Sequence, residues 1–215
     1  LGDVYKRQID LVKLSSNKKI KGQVGHVERF NPAFCCLDDT IKNPKFIEFH
    51  RLAEFNPRGN DVSVVLDLMI HDIDLVLSFI NSPVKKIDAS GLSIMTNSVD
   101  IANARIHFEN GSVANITSSR VAKDKVRKIK IFQRNLYITI DFLIGLTEIY
   151  RVMDKKKKGT SAIITAPIES KGRPRHIVYE KPKIKKQDAL QMELILCRTY
   201  RFQPGMLVQD LVTKY

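Results

Sequence analysis

Apolar residues crowd one stretch of this chain and alternate with polar ones through much of the rest. The crowded stretch is Val62–Ile80, VSVVLDLMIHDIDLVLSFI, apolar almost all round and long enough for about five helical turns. A helix of that kind is buried. Asp67, His71, Asp74 and Ser78 interrupt it at spacings of 4, 3 and 4. At about 100° per residue these intervals return to one side, so the pattern predicts a single polar stripe. Carboxylates and imidazoles in an apolar setting are costly unless they are paired or used. Here an imidazole lies one turn from a carboxylate on either side, a geometry that fixes a tautomer and tunes a base.

The remaining pattern predicts mostly strands. Ile9, Leu11, Val12 and Leu14 suit the last turns of an amphipathic helix, and IKGQVGHV (20–27) reads as a strand after a short turn. Helix, turn, strand is half of a βαβ repeat, which cannot bury its own faces, so a truncated unit is expected there. Residues 1–8, LGDVYKRQ, resemble a translated adapter scar and are set apart from the fold. Asn31-Pro32 is a helix start, Asn as N-cap and Pro at the first helical position, with the helix continuing toward Leu37–Ile41. KFIEFHRLA (45–53) alternates Phe46, Glu48, His50 and Leu52 against Ile47, Phe49, Arg51 and Ala53, as a strand does. Residues 84–95 read as another strand with a glycine interruption. Residues 100–122 form the clearest hairpin, turning at Asn110-Gly111 in the type I′ manner. Two strands over 127–142 with a turn near Arg134-Asn135, and one over 147–154, complete the sheet. DALQMELIL (188–196) has helical periodicity, and 197–215 bears no clear relation to what precedes it. The expected class is α+β: an open, largely antiparallel β-sheet with helices on one face.

Composition narrows the function. With 43% hydrophobic and 27% charged residues, a packed core is available and wholesale disorder is excluded. No uncharged apolar run reaches the roughly 20 residues of a membrane span. The N-terminus lacks a signal-peptide pattern, and Cys35, Cys36 and Cys197 form neither a disulfide framework nor a CxxC zinc site, so cytoplasm is the expected location. Cys35 and Cys36 read as small, inert buried residues, and Phe30 and Phe34 as core rather than sugar-stacking groups. The net charge of +13 is uneven: residues 1–150 hold 21 Lys and Arg against 17 Asp and Glu, and 151–215 hold 15 against 6. Much of that excess lies in Lys155–Lys158 and around Lys181–Lys186, with no zinc-finger spacing, RNP-type motif or basic recognition helix. Charge alone does not point to nucleic acid. The Asp-x3-His-x2-Asp stripe also presents three metal ligands on one face, but His26, His50, His107 and His176 offer no complement, and no metal is expected.

With GHVERFNPAF (25–34), NPRGNDVSVVLDLMIHDIDLV (56–76) and ARIHFENGSVANITSSR (104–120) in this order, the chain resembles the Gfo/Idh/MocA family of NAD(P)-dependent oxidoreductases. Its sugar-nucleotide branch, which oxidises the 3-hydroxyl of UDP-N-acetylglucosamine, is the nearest in pattern. The resemblance implies an N-terminal Rossmann domain followed by an α/β domain whose open sheet supports substrate binding and dimerisation. On this reading residues 9–27 are a remnant of the Rossmann domain, 28–196 the substrate and dimerisation domain, and 197–215 an uncertain tail. The family signature falls on Asp67, His71 and Asp74. It implies His71 as the proton-transfer residue, Asp67 as the group that orients it, and Arg29, Asn31, Arg58 and Asp74 around the substrate. The cofactor implied is NAD or NADP, bound mainly by a domain outside this chain, so the fragment alone is expected to be inactive. A homo-oligomer through the open sheet is implied as well. Two features depart from the family pattern. The glycine-rich dinucleotide fingerprint is absent, and the Glu-Lys-Pro motif that should precede GHVERF appears only as Glu180-Lys181-Pro182, far downstream. The closing helices are not recognisable past Leu196.

Two classes of function follow. One is the substrate domain of an oxidoreductase acting on a sugar or sugar-nucleotide hydroxyl. The other is a non-catalytic sheet domain for oligomerisation or for binding anions or nucleic acid. A glycine-rich strand–helix unit encoded upstream would separate them.

Overall fold

The fold is given by a computed structural model, which describes residues 2–18, 25–37, 40–57, 62–154, 162–170, 173–185 and 187–199. Arg58, most of the predicted strand at 20–27, Lys155–Lys158 and nearly all of the tail from 197 lie outside the described residues. The elements run α1 (Gly2–Lys18), a 3-10 turn (Val27–Phe30), α2 (Pro32–Cys35), β1 (Phe46–Leu52), a π-helical turn (Val65–Met69), α3 (Ile70–Phe79), β2 (Val84–Leu92), β3 (Ile101–Phe108), β4 (Val113–Ser119), β5 (Val126–Gln133), β6 (Leu136–Asp141), β7 (Leu146–Met153), β8 (Ala162–Ser170), β9 (Arg173–Glu180) and α4 (Ala189–Thr199).

The strands form one open sheet in the order β2-β3-β4-β1-β5-β6-β7-β9-β8. Only β1 and β4 pair in parallel; every other neighbouring pair is antiparallel. Period-two alternation gives the sheet one buried face. Ile47 and Phe49 of β1, Ile116 of β4, Ile129 and Ile131 of β5, and Ile138 and Ile140 of β6 meet Leu75 and Val76 of α3 and Ala33 of α2 in a single core. On the other face, Phe46, Phe132, Tyr137, Tyr150 and Tyr179 form a row of ring contacts across β1, β5, β6, β7 and β9, with centroids 4.7–5.8 Å apart. Every residue of the edge strand β2 is exposed.

Several expectations are corrected by this fold. The first helix includes residues 2–8, which the sequence set apart. Gly25 and His26 are coil, and Val27 opens a 3-10 turn rather than closing a strand. α2 ends at Cys35, well short of Ile41. The β3–β4 turn is not type I′: Gly111 has φ +79°, whereas Asn110 is not among the residues with positive φ. A hydrogen bond from the Phe108 N–H to the Ser112 carbonyl, 2.9 Å, closes a three-residue loop, Glu109, Asn110 and Gly111, instead. β8 and β9 lie in a segment where no strand was expected. Most consequential, the predicted single helix over 62–80 contains a π-helical turn at Val65–Met69, just before His71.

Candidate functional site

The site forms where the 3-10 turn meets α3. Arg29 grips Asp74 with both arms of its fork, Nε to Oδ2 at 2.5 Å and Nη2 to Oδ1 at 2.7 Å. Such a bidentate pair fixes orientation as well as charge. His26 Nδ1 lies 3.7 Å from the same Oδ2. Its ring meets that of His71 edge-on, with centroids 6.2 Å apart and planes at 78°. The turn is held locally from both ends. The His26 N–H donates to Glu193 Oε1 of α4 at 2.6 Å, and its carbonyl accepts from the Arg29 N–H at 3.0 Å. Asn31 then caps α2 through its side-chain oxygen, which accepts from the Ala33 N–H at 3.1 Å, the role its place before Pro32 predicts.

Beneath this cluster runs a buried ionic network. Arg51, 4% exposed, and Asp72, 2% exposed, share three hydrogen bonds: Nε to each carboxylate oxygen at 3.0 Å and Nη2 to Oδ1 at 2.7 Å. Arg51 Nη1 donates to Glu28 Oε1 at 3.2 Å, and Asn31 Nδ2 to Glu28 Oε2 at 3.2 Å. Arg127 reaches Glu28 Oε1 at 3.5 Å. Charges this deep persist only when each has its counter-charge and its hydrogen bonds. The network ties the 3-10 turn, β1 and α3 into one body.

His71 stands at the edge of both groups. Burial pushes its imidazole below the ordinary value, and the charges of Arg51 and His26 push the same way. Burial likewise pushes the Asp72 carboxyl up, against the pull of Arg51. Among the described residues neither His71 Nδ1 nor His26 Nδ1, both buried, has a hydrogen-bond partner. An unpaired buried polar atom costs about 1–3 kcal/mol, and in a native protein it calls for an explanation.

The structure thus brings together three of the residues expected from sequence: Arg29, His71 and Asp74. The expected contact between Asp67 and His71 does not form. Asp67 lies in the π-helical turn and is exposed, while Asp74 is buried. A π-turn spends an extra residue per turn, so the projection at about 100° per residue that joined Asp67 to the stripe does not hold there. Arg29 and Asp74 spend much of their bonding capacity on each other. Asn31 is engaged as a cap and with Glu28. Sequence reasoning missed His26, Glu28, Arg51 and Asp72. Arg51 did leave a signal, since it alternates with Ile47 and Phe49 and a guanidinium on that buried face needs carboxylates. Among the described residues no group of three or more potential ligands is placed to hold a metal ion.

Comparison with known proteins gives this arrangement its context. The family model described as "GFO/IDH/MocA C-terminal domain" matches residues 39–137. The UDP-N-acetylglucosamine 3-dehydrogenase of Acidithiobacillus ferrooxidans is 35% identical over 141 residues, which are 65% of this chain and 45% of that protein. A solved structure of the enzyme of that name from the same organism superposes with a TM-score of 0.71 at 29% identity, covering 88% of this chain and 55% of the other. An NAD-binding protein from Listeria innocua, at 16% identity, shares the fold with a TM-score of 0.65 over 95% of this chain and 61% of its own. The chain therefore spans about half the length of the relatives named first. These matches, added to the ordered motifs and the sheet, assign residues 39–137 to the GFO/IDH/MocA C-terminal domain.

Proposed function

We propose that this chain supplies the substrate side of an NAD(P)-dependent oxidoreductase that oxidises a hydroxyl of a sugar or sugar nucleotide, with His71 as general acid/base. UDP-N-acetylglucosamine, oxidised at its 3-hydroxyl, is the first candidate, because the relative with 35% identity carries that activity in its name. One observation carries the reading: a half-buried imidazole with an unpartnered Nδ1 sits in a cluster of charged side chains. A histidine placed only for packing would have its buried nitrogen satisfied.

The 215 residues contain no Gly-x-Gly-x-x-Gly turn, so they offer no phosphate cradle of that kind for a dinucleotide. They offer a proton acceptor beside guanidinium donors. A nicotinamide cofactor, when bound, accepts the hydride. The residues of this chain handle the proton. Because His71 Nδ1 is buried, Nε2 is the nitrogen left to accept from a substrate hydroxyl, and the neutral ring does so. A value held below the ordinary imidazole range keeps that ring neutral at physiological pH. Arg29 is oriented by Asp74, and Nη1 is the donor it has not committed there. That nitrogen is the one available to a substrate phosphate or carboxylate. Asn31 and Asp74 hold the 3-10 turn and α3 in place around it, and Arg58 and Asp67 remain proposed substrate contacts. The open aromatic face of the sheet is proposed as the surface through which copies of the protein associate.

In the protein expressed from its full reading frame, His71→Ala should collapse reduction of NAD(P)+ by UDP-N-acetylglucosamine while leaving NAD(P)+ affinity near normal. Undiminished turnover would remove His71 from proton transfer and favour a non-catalytic sheet domain.

A further inference from the structure

We propose that the exposed edge strand β2 pairs antiparallel with β2 of a second copy of this chain, about a two-fold axis at Ile87, so that the two sheets run on as one. This interface is separate from the aromatic face of the sheet and does not depend on His71 as the base.

Among the described strands β2 closes one end of the sheet, and all nine of its residues are exposed. An edge strand leaves a row of backbone N–H and carbonyl groups unpaired, and a second strand takes them up. Two identical strands related by a two-fold axis have a limited set of registers, because residues that meet must lie on the same face. The side chains of β2 choose among these. Ile87 is in register with the buried Ile106 on the helix-bearing face, while Lys86 and Asp88 stand beside His107 and Arg105 on the other. Centred on Lys86, the pairing sets lysine against lysine; centred on Asp88, it sets carboxylate against carboxylate. Like charges directly opposite destabilise a strand pair. Only when centred on Ile87 does Lys86 of each copy meet Asp88 of the other. Within one strand Lys86 Nζ already lies 2.7 Å from Asp88 Oδ1. The four groups then form a square in which every neighbour, along a strand or across the pair, has the opposite sign. Lysines that merely guard an edge oppose pairing, whereas this lysine and its aspartate favour one register. The same register sets Ile87, 58% exposed, against its own copy, two apolar side chains about 5 Å apart at Cβ. Pairing ends at Pro83, opposite Gly91, because proline has no N–H to give. Residues 86–88, which make the central contact, belong to the regular part of β2; its irregularity lies before Lys86.

Sedimentation equilibrium of the protein expressed from its full reading frame tests this. In the two-fold pair Lys86→Asp sets carboxylate against carboxylate, and Asp88→Lys sets ammonium against ammonium. Each should weaken the association at least about tenfold and halve the mass of the assembly, whatever other surface holds it together. The double variant Lys86→Asp/Asp88→Lys, and an equimolar mixture of the two single variants, should regain the wild-type mass. The two side chains are 66% and 48% exposed, so the exchanges leave the core untouched. On mild oxidation Ile87→Cys should give a cross-linked dimer beyond any the wild type gives, because paired positions fall within the roughly 4.4–6.8 Å between Cα atoms that a disulfide spans. Lys86→Cys should not. Single variants that keep the wild-type mass overturn the proposal, as does a double variant or a mixture that stays at half of it. Cross-linking as strong through Lys86→Cys as through Ile87→Cys contradicts the axis at Ile87 and overturns it as well.

Discussion

Arg51 holds Asp72 with three hydrogen bonds of 2.7–3.0 Å, one residue away from His71 on α3. The pair is almost wholly buried, and Arg51 also carries Glu28. Because β1 is central in the sheet, this contact fixes where α3 sits and hence where the imidazole stands.

Removing the cation should therefore hurt stability first. Arg51→Ala strands two buried carboxylates and is expected to cost about 3–5 kcal/mol, read as a lowered urea midpoint. Arg51→Lys keeps the charge but loses the fork, and should fall between the two.

At the other carboxylate of the helix, the expected consequence is kinetic. Arg29→Lys loses the two-armed grip on Asp74 and should raise KM for an anionic substrate more than it lowers kcat. Steady-state kinetics on the full-length protein measure the split, and an effect confined to kcat would remove Arg29 from substrate binding.

Asp100 predicts an acid-sensitive loop. Its side chain is fully buried and accepts from the N–H groups of Ile94, Met95 and Thr96 and from the Thr96 hydroxyl. Burial alone would push the carboxyl up, but these donors outweigh it and hold it well below the usual carboxylate range. A depressed carboxylate gives stability that is present above its unfolded value of about 3.9 and is lost as pH falls below it. Melting temperatures should drop steeply below about pH 4 in the wild type, and Asp100→Asn should start lower and show a shallower drop.

His71 adds a second limb of the same sign to that curve, at higher pH. Its value is depressed in the folded chain, so the unfolded chain takes up the proton first as pH falls through about 6.5. Stability conferred by the neutral ring is therefore lost on acidification from that point. His71→Gln should flatten the melting curve below about pH 6.5 while leaving the Asp100 limb intact.

Much of this was legible in the chain, for physical reasons that can be named. The alternation of Ile47 and Phe49 against Glu48 and His50 is that of a strand with one buried face, and β1 has it. The stripe of His71 and Asp74 follows from helical periodicity, and α3 preserves it. Asp67 was misplaced because no sequence rule used here anticipates a π-turn. β8 and β9 were missed because prolines and lysines obscure their pattern. Yet β8 is an edge strand, where Pro167 has no second neighbour to bond. Pro174 pairs only with Glu169 of β8, beyond the stretch of β9 that pairs with β7. His26 was invisible as a site residue because its partners, Asp74 and Glu193, are 48 and 167 positions away and meet it only in the fold.

The most direct measurement is the pH dependence of kcat/KM for oxidation of UDP-N-acetylglucosamine by the full-length protein, wild type beside His71→Ala. Expected is an acid limb in the wild type centred below about pH 6.5, and in the variant a loss of that limb with activity reduced on the order of 100-fold or more. A variant that keeps the same limb and most of the rate is incompatible with His71 as the base.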